Sequence, residues 1–203
     1  MMSRNLLIIS TILAWCMSAC QPTVLAPREF LQWVENPANG FNNQREIGQY
    51  TLGAQLMPIP YQAVQLHQAS LNAHHLNEMK AELKESLDIH FTMGPQEGNV
   101  SFLKYNLGSI AEYQERLTYL SFDMEDYLYL LHGNDTLRPN LYHFERSFDL
   151  EPDAHFFLSF PRPEQLEEEA ILILDDHFFG LGPVRFRFDL GRLSHLPALN
   201  LQS

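Results

Sequence analysis

Cysteine is almost missing from this 203-residue chain: Cys16 and Cys20 are the two, and both lie near the start. Nothing remains for a disulfide framework or a cysteine metal site further on. Positive charge is scarce as well, with 13 Lys and Arg against 25 Asp and Glu, for a formal net charge of −12. Such a chain repels a phosphate backbone, and no compensating basic patch is visible, which argues against a nucleic-acid partner. No apolar run reaches the ~20 residues of a membrane-spanning helix, and no internal repeat is present. Apolar matter is plentiful: hydrophobic residues make up 45% and aromatic ones 12%. That suffices for a packed core and excludes a fully disordered chain. The length fits one domain of roughly 100–200 residues.

The first twenty residues read as an address. Arg4 supplies a short basic start, and residues 6–15 form an apolar run broken only by Ser10 and Thr11. The run matches the roughly 7–15-residue apolar region of a secretory signal. Met17-Ser18-Ala19-Cys20 then sets small residues directly before a cysteine, and a polar, proline-containing stretch opens at Gln21. This resembles the lipobox of bacterial lipoproteins, with Met17 where leucine is usual. The resemblance implies cleavage before Cys20, lipid attachment to its thiol and acylation of the new amino terminus. Several acyl chains, at about 0.8 kcal/mol per buried CH₂, anchor a soluble domain stably. Gln21 is not the aspartate of inner-membrane retention in enterobacteria, and no acidic cluster follows Cys20. The expected address is therefore the outer membrane, with the protein facing the periplasm. The expected organisation is a signal peptide over 1–19, a tether over 20–27 and one globular domain over 28–203.

Period-3.6 and period-2 patterns divide that domain. Pro27 suits the first turn of a short helix carrying Phe30, Leu31, Trp33 and Val34, stopped by Pro37 and Gly40. A strand is expected over 49–57, ended by Pro58 and Pro60. Residues 70–87 place Leu76, Met79, Leu83 and Leu87 on one helical stripe. Residues 88–93 alternate, with Ile89, Phe91 and Met93 opposite His90 and Thr92, and 99–105 reads as the returning strand of a hairpin. Ser109 and Glu112 have capping-box spacing at the head of a helix over 109–119. Beyond it, 126–132, 140–148, 155–160, 170–174 and 184–188 are strand-like. Val184, Phe186 and Phe188 alternate with Arg185, Arg187 and Asp189, one face buried and one wet, which favours antiparallel pairing. The expected fold is α+β: a predominantly antiparallel sheet or two-layer β-sandwich with two inserted helices.

Several segments together carry a second resemblance: Tyr119-Leu120-Ser121-Phe122, Asp135-Thr136-Leu137, His143-Phe144-Glu145-Arg146, Phe157-Leu158-Ser159-Phe160 and Phe179-Gly180-Leu181-Gly182-Pro183-Val184. The set is similar to a family of uncharacterised Bacteroidota lipoproteins. The resemblance implies the envelope address and transfers no catalytic residue.

Candidate chemistry is sparse. His143 and Glu145 share one face of an expected strand, where a neutral imidazole beside a carboxylate serves as a general base or half of a metal site. Asp175-Asp176-His177 is the densest acidic–imidazole cluster, yet neighbours on a strand point to opposite faces, and the cluster suits a strand-to-turn transition. His74 and His75 diverge by about 100° on a helix and cannot easily grip one ion. Gly180-Leu181-Gly182 lacks the third glycine of a dinucleotide fingerprint, and no serine occupies a nucleophile elbow. No cofactor and no metal ligand set are expected. The function expected from sequence is a lipid-anchored, non-catalytic binding or scaffolding module of the cell envelope, attached to the membrane through Cys20 and meeting an envelope protein or glycan. The alternatives are a periplasmic hydrolase of glycan or peptidoglycan using His143, Glu145 and Asp175 or Asp176, and a lipid or ligand carrier with a hollow core.

Overall fold

A computed structural model describes residues 24–98, 100–146, 150–166 and 168–201. The chain enters as a two-residue strand, β1 (Val24–Leu25), and a helix, α1 (Pro27–Glu35). Proline loses nothing at a helix start, where its missing N–H has no intrahelical partner. The Glu29 carboxylate accepts the Ala26 N–H at 3.0 Å, and Phe30 and Val34 form the buried stripe. A hairpin follows, β2 (Asn42–Ile47) and β3 (Tyr50–Leu56), turned at Gly48 with φ 62°, where a glycine is favoured. Then come α2 (Ile59–His67), α3 (Ala73–Glu82), β4 (Ser86–Pro95) and α4 (Ile110–Thr118). The second half is β5 (Leu128–His132), β6 (Asp135–Leu137), β7 (Leu141–Glu145), β8 (Ala154–Pro161), β9 (Glu169–Asp176), β10 (Gly182–Asp189) and β11 (Ala198–Leu199).

The strands form two antiparallel sheets, ordered β2-β3-β4-β8-β7 and β10-β9-β5-β6, and a short parallel β1–β11 pair. Strict alternation on β3, β4 and β8 turns Leu52, Ile89, Phe91, Phe156 and Leu158 inward and leaves Gln55, His90, Thr92, His155 and Phe157 on the outer face. The two sheets pack through their aromatic faces. Phe91 of β4 lies 5.8 Å from Phe156 of β8 and 5.9 Å, edge-on, from Phe186 of β10. Phe91, Phe156, Phe160, Phe186 and Phe188 are fully buried, each contributing about 1.5–3 kcal/mol relative to exposure. At one side the Asn43 side-chain amide donates to the Arg187 carbonyl at 3.0 Å, tying β2 to β10. The protein is thus an α+β fold of antiparallel sheets, and of the two expected forms it is the two-layer one.

Local departures from the sequence expectation have identifiable causes. Pro58 and Pro60 end β3, and they also start α2: Pro58 is its N-cap and Pro60 lies in its first turn, so there are more helices than the two inserted ones expected. The helix expected over 70–87 is shorter, because Asn72 caps it by accepting the His74 and His75 N–H groups and Ser86 already belongs to β4. β2, with its run of Asn, Gln, Arg and Glu, carries no hydrophobic alternation and is a polar edge strand. Residues 100–105 do not return as a strand. They form turns whose Phe102 and Leu103 are buried, and β4 pairs instead with β3 and β8. Ile110, placed on the α4 stripe by spacing, is 78% exposed, while Arg116 is buried. Val24 and Leu25, counted with the tether, pair with Ala198 and Leu199, so order begins earlier than 28.

Candidate functional site

Pairing register sets the outer face of the larger sheet. Opposed residues run His143–Phe157–His90–Gln55 across β7, β8, β4 and β3, and Glu145–His155–Thr92–Gly53 in the next row. Opposed side chains in an antiparallel sheet stand 4.5–5.5 Å apart and interact. Here they stack as a ladder. The His90 and Phe157 rings are 4.9 Å apart and 10° from parallel, and His143 and Phe157 are 6.5 Å apart at 27°.

His90 also meets His155 diagonally. Their Nε2 and Nδ1 atoms are 3.0 Å apart, with ring centroids at 5.2 Å and planes within 14°. A centroid separation close to the N···N distance plus two ring radii means the nitrogens face each other in line, so one proton lies between them. His155 Nε2 is 3.0 Å from the Glu151 carboxylate, which only accepts. The neutral chain is therefore assigned as His90 Nε2–H donating to His155 Nδ1, and His155 Nε2–H donating to Glu151. Burial first, and the adjacent His155 charge second, hold the His90 pKa down at about 4. This Glu151–His155–His90 chain orients two imidazoles through two successive hydrogen bonds. It offers no nucleophile and no cleft. Because the nitrogens oppose each other head-on, the pair also leaves no room for a metal ion between them.

The residues singled out in the sequence fall in different places. His143 and Glu145 share the exposed face of β7, as the period-two spacing requires. Asp175 and Asp176 end β9 in the other sheet and point to opposite sides. Asp176 is 2% exposed, and its carboxylate accepts the N–H groups of Phe178, Phe179 and Leu181 at 2.8–3.1 Å. It builds a turn that stacks Phe178 on Tyr119 at 4.4 Å and sets Phe179 beneath the Arg116 guanidinium. Asp175 lies on the surface, 3.7 Å from His177. The four do not converge, and the role of Asp176 is structural. Cys20 lies outside the described residues. His90, His155 and Glu151 were not singled out from sequence. Their only signal there is phase: on β4 and β8 the histidines occupy the polar positions of an alternating strand.

Among the described residues no three His, Cys, Asp or Glu side chains gather as a metal site, and no helix is long and apolar enough to cross a membrane. Two cavities lie at the periphery of the described residues. One, of about 650 Å³, is bounded by α1, the end of α2 and the last described residues. Another, of about 570 Å³, opens at the β5–β6 turn. No family model and no curated protein matches the chain. Among solved structures it is similar to a DUF4426 family protein from Pseudomonas aeruginosa PAO1, with 8% sequence identity and a TM-score of 0.34 over 73% of this chain and 91% of that chain.

Proposed function

We propose that the protein is a lipid-anchored, non-catalytic binding module of the bacterial cell envelope, held at the outer membrane and facing the periplasm, as in the Bacteroidota lipoproteins it resembles. The lipobox-like Met17-Ser18-Ala19-Cys20 supports the anchor. The separation of His143 and Glu145 from Asp175 and Asp176 supports contact over turnover, because acid–base hydrolysis needs its carboxyl and imidazole groups within hydrogen-bond reach of one substrate. A core filled by Phe91, Phe156 and Phe186 lends no support to a hollow carrier.

The ladder on the larger sheet carries the binding part of the reading. Small ligands take concave sites, whereas this face is a sheet surface carrying the stacked rings, the Glu145 carboxylate and the exposed Leu141, 55% accessible. Mixed apolar and polar surface of this kind suits a protein partner. The test replaces His143 with photoreactive p-benzoylphenylalanine in living cells, with Arg185 on the outer face of the smaller sheet as control. A discrete adduct with an envelope protein from position 143 and none from 185 is expected. Equal labelling from both positions, or none from 143, overturns the reading, and adducts only with glycan strands replace the protein partner by a glycan.

A further inference from the structure

We infer that the groove between α1, the end of α2 and residues 200–201 is the face on which the domain rests on the bilayer, and that it takes the acyl chain of a membrane phospholipid whose phosphate meets Arg28. The inference builds on the lipid anchor proposed at Cys20. Its own evidence is the composition of the groove and the distance along the chain from the anchor.

The distance comes first. Only four residue steps separate Cys20 from Val24, a reach of at most ~14 Å at 3.3–3.6 Å per residue. That is about half the ~30 Å width of a small domain, so only the end of the domain near Val24 can lie against the membrane. From Val24 the chain runs through β1 beside β11, with the Asn200 N–H donating to the Leu25 carbonyl at 2.8 Å. The two strands are parallel, so both deliver their next residues, Pro27 on one and Leu201 on the other, to the groove wall. The groove therefore lies at the tethered end. Val24 and Leu66, which belong to β1 and α2, are 58% and 69% exposed.

The chemistry of the wall agrees. Leu31, Val64, Leu71 and Leu201 supply apolar surface, Gln65, Gln68 and Asn200 are neutral, and Arg28 is the one charged lining residue. No lining residue carries a carboxylate, in a chain with 25 acids and a net charge of −12. The neighbouring Glu29 is turned to the Ala26 N–H. An anionic lipid surface repels an acidic domain, and a wall free of carboxylates with one cation to meet the phosphate lowers that repulsion. The groove is open to solvent on one side, and its volume, about 650 Å³, lies within the range of ligand-binding clefts.

The test uses the full chain purified from membranes and returned to vesicles of phosphatidylethanolamine and phosphatidylglycerol. A nitroxide is placed on Leu66→Cys, or on Arg185→Cys as the distant control. The expected result at 66 is high collision with oxygen and low collision with a water-soluble nickel complex, with the opposite pattern at 185. Adding Arg28→Glu should raise nickel collision at 66 several-fold and leave 185 unchanged. Photoreactive p-benzoylphenylalanine at Leu31, and separately at Gln68, should form adducts with phospholipid. Equal nickel access at 66 and 185 overturns the inference, as do adducts only with a protein or only with the chain's own acylated amino terminus. Failure of the anchor itself is distinguishable. An unacylated Cys20 keeps its thiol and takes up a second nitroxide, which spin counting and the protein mass both register.

Discussion

The two outer faces of this sandwich differ although one core serves both. The smaller sheet turns out Arg185, Arg187 and Asp189, with Arg187 paired to Glu169 at 2.6 Å while both side chains remain about half exposed. Such a pair, well solvated, contributes about 0–1 kcal/mol. The larger sheet turns out stacked His143, Phe157 and His90, with His155 and Glu151 hydrogen-bonded beyond them. There the polar groups bind one another, partly shielded, and a titratable imidazole is held neutral. One face is organised for solvent. The other invests order in side chains that the fold itself does not need buried.

The largest expected effect removes what the faces share. Phe186→Ala empties a fully buried site against Phe91 and should cost about 3–5 kcal/mol in denaturant unfolding; a loss below 1 kcal/mol would mean the layers are not packed as described. Next comes the buried end of β9. Asp176→Ala leaves three backbone N–H groups without their acceptor and should cost about 2–3 kcal/mol, with amide exchange accelerated first at Phe178, Phe179 and Leu181. Asp175→Ala, at the surface, should stay within about 0.5 kcal/mol.

The faces separate most clearly in their response to pH. His90 is depressed in the folded state from 6.5 to about 4, so below pH 6.5 the unfolded chain binds a proton that the folded one refuses. The contribution is complete above pH 6.5 and is lost as pH falls from there to about 4. The full shift corresponds to about 3 kcal/mol, and solvent access to the face reduces this to about 1–2 kcal/mol. His90→Phe should flatten the stability profile in that window; an unchanged slope would remove His90 from the explanation. The effect on the charged face is smaller: Arg187→Ala should change stability by less than about 1 kcal/mol in denaturant unfolding.

Much of the architecture is legible in the sequence because it is periodic. Val184, Phe186 and Phe188 against Arg185 and Arg187, and Ile89, Phe91 and Met93 against His90 and Thr92, each name their buried face. The Ser109–Glu112 cap is legible for the same local reason: the Ser109 hydroxyl accepts the Glu112 N–H, and the Glu112 carboxylate, held below its ordinary range chiefly by the Gly108 N–H, closes the turn. What is not local is not legible. Proline both ends and begins elements, so Pro58 and Pro60 conceal α2. Phe102 and Leu103 are apolar because they plug the core from a turn, a role that resembles a strand in one dimension. The co-facial placement of His143 and Glu145 follows from spacing of two. The meeting of His90 with His155, 65 residues away, depends on the β4–β8 register, which only tertiary pairing sets.

The most direct measurement is the intact mass, with amino-terminal peptide mapping, of the mature chain extracted from membranes. The lipid-anchored reading predicts a chain beginning at Cys20, its thiol carrying a diacylglyceryl group and its amino terminus acylated. A mature chain with a free Cys20 thiol, or one released quantitatively without detergent, would contradict it.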